Sequence, residues 1–546
     1  VNINLQVFQR RFKLMKIESL PKQVSDVVLN NSGLKMYLNN LERGRSATPR
    51  SWLYEGKSDT EVLQLWLKQL ETVKALKHGE LIYQFDTSQL KKFGSQGEVK
   101  PVKELMDLVT EGYGQAGTPQ PDIFRTELWQ QAKKNAIKHL IIDTGIYKRL
   151  RPRSYDAVVD NMRDRETLDS NSGFPMFSRR KRPDVLKNAY DSISDGSYLE
   201  FPAILLFRNY NQKTRPVWMY PMSTNIVEGS FTQPLKEAIT NSGLQFFAPW
   251  RGYEHVLSVL TKHYNDGEFI SASDFSHTDA YFTKWAMLEV YDVIKYAFQE
   301  QYWPALKQSM LHVNSIPLII GSDKWIIGDH GVSSGSNWTN DVETYMDYIA
   351  EQYMTLLKLV KEPDTAIGDD ISHRRDTYLD NLAELLAIEY KKMNFDVNAE
   401  KVTNERDWVK YLQRLTIRGY YSRRTFVVKG KEYPLLRGIY STIRALNSSL
   451  NPEKFHSPKT WNKDMFAVRQ FMILENCIDH PLFEKFVTFV CEGHPYLIPF
   501  AKQSNNLINK AQQESRHIPG LNPTYNQEKR DKPLASFASI NLARKL

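Results

Sequence analysis

Two acidic clusters, 95 residues apart (369 minus 274), constrain this chain most tightly. The first, Asp274-Phe275-Ser276-His277-Thr278-Asp279, follows the β-compatible run Phe269-Ile270-Ser271-Ala272-Ser273, which runs as a strand into Asp274. The second, Gly368-Asp369-Asp370, sits between Thr365-Ala366-Ile367 and Ile371-Ser372 and predicts two short strands about a turn at those three residues. Between the clusters lies Gly331-Val332-Ser333-Ser334-Gly335-Ser336-Asn337-Trp338-Thr339. A helix is predicted over 341–360, with Val342, Tyr345, Ile349, Tyr353, Leu356 and Val360 on one face and a stop before Pro363. Strand, helix, hairpin and a further helix over 378–393, flanked by helical regions, give an α+β chain.

At 546 residues the chain exceeds a single compact core, so two or more subdomains are expected. Its net charge is +9 (72 minus 63), which suits a polyanion but points to nucleic acid only weakly. The distribution says more. Residues 501–546 carry Lys502, Lys510, Arg516, Lys529, Arg530, Lys532, Arg544 and Lys545 against Glu514, Glu528 and Asp531, a local balance of +5 (8 minus 3). A second basic zone is Arg179-Arg180-Lys181-Arg182, with Arg208, Lys213 and Arg215 further on. Cys477 and Cys491 are the two cysteines, too few for a disulfide framework or a cysteine-rich zinc site. The apolar run at Ile316-Pro317-Leu318-Ile319-Ile320 is too short to span a bilayer. The chain opens on Val1, Met15 is a candidate natural start, and on that reading the first 14 residues are a processing remnant.

In the N-terminal third, Ser58 and Glu61 form a capping box ahead of Val62, Trp66, Leu70, Val73 and Leu76 at helical spacing. Residues 201–222 read as extended. From about residue 503 the composition turns to Asn, Gln, Ser, Pro and Lys, which predicts an extended tail with little core of its own.

The acidic, Gly/Ser-rich, acidic order resembles motifs A, B and C of the viral RNA-dependent RNA polymerases, most like the small polymerases of picobirnaviruses, with partitiviruses second. Further segments fall in the family's order from Ser172 to Arg414. Ser172-Gly173-Phe174-Pro175 is similar to motif G, Lys213-Thr214-Arg215-Pro216-Val217-Trp218 to motif F, the Tyr390-to-Lys401 region to motif D, and Tyr411-Leu412-Gln413-Arg414 to motif E. The resemblance implies a closed right hand of fingers, palm and thumb, with an antiparallel palm sheet flanked by helices. The domains would be an N-terminal fingertip region over 1–150, bridging to the thumb, and fingers over 151–265. A palm over 266–415 would hold a fingers insertion at about 291–325, followed by a thumb over 416–502 and a tail over 503–546.

The same resemblance assigns chemistry. Nucleotidyl transfer uses two Mg²⁺ ions (Mn²⁺ can substitute), and Asp274, Asp369 and Asp370 are the expected catalytic and metal-holding carboxylates. Asp279, in a D-x4-D arrangement with Asp274, would sense the ribose 2′-hydroxyl. Ser334, Gly335 and Thr339 match the motif B loop at the nucleotide. The family's asparagine four residues beyond that threonine is Glu343 here, so either Asn340 takes its role or the sugar contact is built differently. Arg208, Lys213 and Arg215 would hold the triphosphate. Ser172, Gly173, Arg179, Arg180, Lys181 and Arg182 would guide the template, and Gln413 and Arg414 would grip the product or priming strand. Lys401, or its neighbours Lys391 and Lys392, is the expected general acid beside pyrophosphate.

The partners implied are a single-stranded RNA template, ribonucleoside triphosphates, a double-stranded RNA product and the viral capsid protein, without a membrane. The setting is a virion interior or host cytoplasm, in a virus with a segmented double-stranded RNA genome, and initiation is expected without a primer. The basic tail, with Tyr525 and Phe537 able to stack on bases, is a candidate to fold back into the product channel. Two rivals stand beside this reading. A reverse transcriptase is disfavoured by Asp279 and Gly368, and a non-catalytic, capsid-associated RNA-binding protein leaves the two acidic motifs unexplained.

Overall fold

The computed structural model describes residues 13–521 and 532–546. Tyr525, Lys529, Arg530 and the first twelve residues lie outside the described residues.

Helices dominate, and four sheets punctuate them. The sheet that carries the acidic clusters is antiparallel. Its centre is the strand Phe269–Ser276, paired with Asp370–Arg375, which in turn pairs with Thr365–Ile367. The short strands Asp396–Val397 and Thr403–Asn404 add to the Asp274 strand. Both acidic clusters fall close to their predicted elements, with two shifts. Asp274 lies inside its strand rather than at the end, and Asp370 opens the second hairpin strand, leaving Gly368-Asp369 as the two-residue turn.

The predicted helix over 341–360 runs from Trp338 to Leu356, and the one over 378–393 from Leu382 to Lys392. The first is buried over almost its whole circumference, polar residues included. A helix buried all round needs every polar side chain on it to find a partner, and this one carries Asp341, Glu343, Asp347 and Glu351.

The extended stretch over 201–222 is a hairpin of Ala203–Tyr210 and Lys213–Met219. It joins a five-stranded sheet with Leu318–Ile319, Lys324–Ile327 and the N-terminal strand Lys16–Ser19. The capping box forms as predicted, with Ser58 and Glu61 bonded reciprocally. Val62, Trp66, Leu70 and Val73 are buried, but Leu76 is exposed. The α-helix ends at Leu70 and continues as a tighter 3₁₀ turn over Glu71–Ala75, so the helical spacing is lost before Leu76.

One core contains Leu53, Trp66, Ile82 and Phe85 from the N-terminal third, helices from residue 442 onward, and C-terminal residues as far as Ala543. The tail expectation is therefore corrected. Residues 505–516 form a helix with Ile508 and Ala511 buried, and Leu534, Phe537 and Ile540 are buried in the same core. Phe537 is 3% exposed and has no face left for a base. Low hydrophobicity misled here because a few well-spaced apolar residues were enough to dock the segment on a core supplied by others.

Candidate active site

The antiparallel register sets Asp274 directly opposite Asp370, and Asp369 stands beside them at the hairpin tip. Residues opposite each other project to one face of the sheet, so three carboxylates meet in one cleft. Burial raises Asp369 to about 6, with the charges of Asp279 and Asp274 adding and Arg215 opposing. Burial also raises Asp370 well above the usual carboxylate range, helped by Asp369 and Asp274. Like charges set against one another are costly, and a divalent cation removes that cost. Among the described residues no three His, Cys, Asp or Glu side chains form a ready-made metal cage. An open carboxylate set still fits Mg²⁺, which takes one or two carboxylates and completes its shell with water and substrate phosphate. Lys401 places its Nζ 3.8 Å from Asp274 Oδ2.

Gly368 holds φ +58°, as the first residue of a primed hairpin turn does. A Cβ there would come 2.7 Å from Asn340 Nδ2, so the buried helix reaches right up to the turn. The Gly368 N–H donates to Thr344 Oγ1 at 2.9 Å, fixing the turn to that helix. Beneath, His373 bridges Glu351 (2.9 Å) and Ser273 Oγ (2.7 Å), and Tyr390 OH donates to Glu351 at 3.2 Å. Ser273 precedes Asp274 and His373 lies on the Asp370 strand, so this chain pins both carboxylate strands from below. Glu343, Asp347 and Glu351 repeat every four residues on one face of the helix. Burial raises Glu343 and Asp347 well above the usual range, next through Asp279 for Glu343 and Glu351 for Asp347. Asp279 is raised by burial, offset by its hydrogen bond with Glu343 and the charge of Arg215. The acid that stands where the family has asparagine therefore contacts Asp279 itself.

The Ser333–Asn337 loop is held by polar residues the sequence reading did not single out. Buried Glu228 accepts from Ser336 Oγ and from the Asn337 N–H (3.1 Å). Asn225 Nδ2 donates to Gly335 O at 3.1 Å, and Trp218 N to Ser334 O at 3.0 Å. Burial raises Glu228 to about 7, against the bonds it accepts. Ser334, Gly335 and Asn340 are exposed at the loop, whereas Thr339 is buried with its hydroxyl committed to Ser333 O at 2.6 Å. Thr339 thus fastens the loop and does not face a ligand. Gly335 has φ +117°, and a Cβ there would lie 1.8 Å from Trp218 O. Gly335→Ala is expected to displace the loop, at a strain cost of about 1–3 kcal/mol. Steady-state kinetics should show nucleotide kcat/KM falling by roughly tenfold or more at that cost, with overall folding preserved by circular dichroism.

Other predicted basic residues divide. Arg215 is near enough for its charge to act on Asp279 and Asp369 and stacks on Tyr210 at 4.7 Å, and Lys213 is exposed at the start of the same strand. Arg208 is instead bound bidentately to Glu453 (2.8 and 2.7 Å), joining this strand to the region after residue 450. Ser172 is buried and Gly173 has φ +67°, so the loop is tight. Arg180 is turned inward onto Asn225 Oδ1 at 2.9 Å. Lys181 pairs with Asp169 and Arg182 with Asp184, which leaves Arg179 as the exposed member of that run with no ion pair among the described residues. The expectation of four template-guiding cations is reduced accordingly. Arg414 is buried, donates to Asn476 O at 3.0 Å and stacks on Tyr253 at 4.5 Å. It is a strut between two parts of the molecule and cannot touch a nucleic-acid strand as placed. Gln413 is exposed at the turn, where Leu412 and Gln413 both hold positive φ.

Lys92 is a further residue missed by the sequence reading. It comes from the N-terminal third, and its neighbouring charges include Asp274 and Arg215. No motif marks it, since its place depends wholly on how distant segments pack.

Comparisons with known proteins agree with this geometry. The viral RNA-dependent RNA polymerase family matches residues 210–425. A potential RNA-dependent RNA polymerase of Human picobirnavirus (strain Human/Thailand/Hy005102/-) is 26% identical over 485 residues, 85% of each chain. The crystal structure of the RNA-dependent RNA polymerase of a human picobirnavirus superimposes with a TM-score of 0.78 at 22% identity, covering 96% of this chain and 99% of that one. Its insertion loop deletion mutant gives 0.77 at 23% identity, with the same coverage. Residues 210–425 thus match the viral RNA-dependent RNA polymerase family, and the chain as a whole is similar to picobirnavirus polymerases in sequence and in fold.

Proposed function

We propose that this polymerase copies viral RNA by two-metal nucleotidyl transfer at Asp274, Asp369 and Asp370, starting strands without a primer. The observation that carries the catalytic part is the convergence of these carboxylates across the Asp274–Asp370 register. The bound divalent ions, Mg²⁺ first and Mn²⁺ as substitute, supply activation of the attacking hydroxyl and neutralisation of the triphosphate. The chain's own residues do the remainder. Arg215 and Lys213 bind phosphate, Asp279 backed by Glu343 faces the sugar, and Ser334, Gly335 and Asn340 line the nucleotide side of the loop. Lys401, placed beside Asp274, is suited to give a proton to departing pyrophosphate.

The substrates are ribonucleoside triphosphates and a single-stranded template, and the product is double-stranded RNA. We assign the chain to a segmented double-stranded RNA virus, acting within a particle or in the host cytoplasm and touching capsid protein. No helix among the described residues is long and apolar enough to cross a membrane.

Incorporation of labelled ribonucleotides on unprimed and primed RNA templates, with Mg²⁺ or Mn²⁺, tests this. Template-length product without primer is the expected result. Product only with an annealed primer would discard primer independence and keep the catalytic centre. Deoxynucleotide incorporation at an equal rate would overturn the assignment of Asp279.

A further inference from the structure

Three distant segments meet beside the carboxylates. Gly97 N donates to Asn209 O at 2.9 Å, and Asn211 N to Gln96 Oε1 at 3.0 Å, joining residues 95–97 to the hairpin that carries Arg215. On the other side, Asn447 grips the same N-terminal segment twice, with Nδ2 on Lys92 O (3.3 Å) and Oδ1 on Gly94 N (3.0 Å). Asn447 belongs to the helix Thr442–Leu450, and Arg444 stands one turn before it on the same face. Lys92 is thus held between the Arg444 helix and the Arg215 hairpin.

The charges gathered there are poorly balanced. Arg444 is 8% exposed, and its buried Nε has no hydrogen-bond partner among the described residues. Arg215 stacks on Tyr210, a neutral ring, and donates to its hydroxyl. The charges acting on Lys92 are those of Arg444, Lys91 and Arg215, against Asp274. Burial first, and then these cations, pull Lys92 down to about 8. Nearby Arg208 shows the ordinary solution, a bidentate carboxylate in Glu453. Cations brought together at the edge of a cleft without such a partner favour an anion with several charged oxygens.

We infer that Lys92, Arg444 and Arg215 form a polyphosphate site, where the N-terminal segment, the Arg215 hairpin and the Arg444 helix meet. The inference rests on the polymerase reading, and it adds two ligands from outside residues 210–425. The polyphosphate has two possible sources, the incoming nucleotide or the nucleotide that begins a strand.

Tripolyphosphate binding to the full chain, followed by calorimetry without divalent metal, tests the site apart from catalysis. Lys92→Gln and Arg444→Gln should each weaken binding at least fivefold, and Arg444→Lys should recover part of it. Lys187→Gln, at an exposed lysine paired with Asp191, should bind as the parent does. No binding by the parent, or parental binding by folded Lys92→Gln and Arg444→Gln, would overturn the site. An inactive parent that binds tripolyphosphate would count against the polymerase reading alone. Kinetics then separate the sources. A raised KM in primed elongation assigns the site to the incoming nucleotide. A raised KM for GTP, but not GMP, as the starting nucleotide assigns it to initiation. If neither changes while tripolyphosphate binding falls, the site does not serve nucleotides.

Discussion

Asp369→Asn is expected to abolish ribonucleotide incorporation, by about 10³-fold or more, while leaving RNA binding within twofold of the parent. The loss corresponds to roughly 4 kcal/mol of transition-state stabilisation. The substitution keeps the shape of the hairpin tip, since the turn is held by the Gly368 N–H on Thr344 and by the strand register, not by the Asp369 side chain. What it removes is one negative charge from the three carboxylates proposed to share a cation. Asparagine retains an oxygen but cannot neutralise a dication, so metal and triphosphate lose their common anchor. Single-turnover extension of a labelled primer gives the rate, and filter binding of the template gives the affinity. Parental incorporation by Asp369→Asn would remove this carboxylate from the centre. Joint loss of both readouts would mark a folding defect instead.

The second large effect is structural. Asp86 is completely buried, far from the cleft carboxylates in sequence, and holds the N-terminal third to the C-terminal core. Its carboxylate accepts from Ser441 Oγ (2.7 Å), Thr442 Oγ1 (2.7 Å), Thr442 N (3.2 Å), Ile443 N (3.1 Å) and His480 Nε2 (3.0 Å). Two of these are backbone groups at the start of the Arg444 helix, where an anion meets the unpaired N–H groups and the helix dipole. Asp86→Ala strands all five donors at once and is expected to cost about 3–5 kcal/mol. Residues 50–93 should then be cleaved by protease well before the rest of the chain, with a lower first melting transition. Parental protease resistance would show that the junction is held by apolar packing alone.

The pH dependence of this junction follows from the same contacts. Burial alone would raise Asp86, but the His480 contact and the Ser441 and Thr442 hydroxyls outweigh it and hold the group below its ordinary value. A depressed carboxylate stabilises fully above its unfolded pKa of about 3.9. Its contribution is lost as pH falls through the lower folded value. The parent should therefore keep the junction closed at mildly acidic pH and release it only in stronger acid.

Local patterns gave a good account of the elements. Apolar runs and turn residues placed the Asp274 strand and the Asp369 hairpin to within a few residues, because strand, turn and charge are written contiguously there. The capping box at Ser58 was legible for the same reason. The helix from Trp338 was legible as an amphipathic face, yet it is buried all round, so its Glu343, Asp347 and Glu351 look like solvent-facing residues in sequence and are interior ones in the fold. The basic run from Arg179 shows the reverse error. Four consecutive cations suggest an exposed strip, but Arg180 turns inward and Lys181 and Arg182 find carboxylates.

What the sequence by itself determined is the α+β order of elements, the position of each acidic motif and the class of polymerase the motifs resemble, since each element and each motif is written in one contiguous stretch of chain. What only the tertiary structure decided is which side chains share a space. The carboxylates come together through a strand register that pairs Asp274 with Asp370, 96 positions apart (370 minus 274). Lys92, Glu228 and Arg444 enter the account through packing between segments up to 352 positions apart (444 minus 92). Arg208 and Arg414 leave it because carboxylate and carbonyl partners from elsewhere in the chain reach them. Sequence spacing fixes hydrogen bonds within an element, whereas charges find their partners by distance in space, and that distance exists only after the chain has closed on itself.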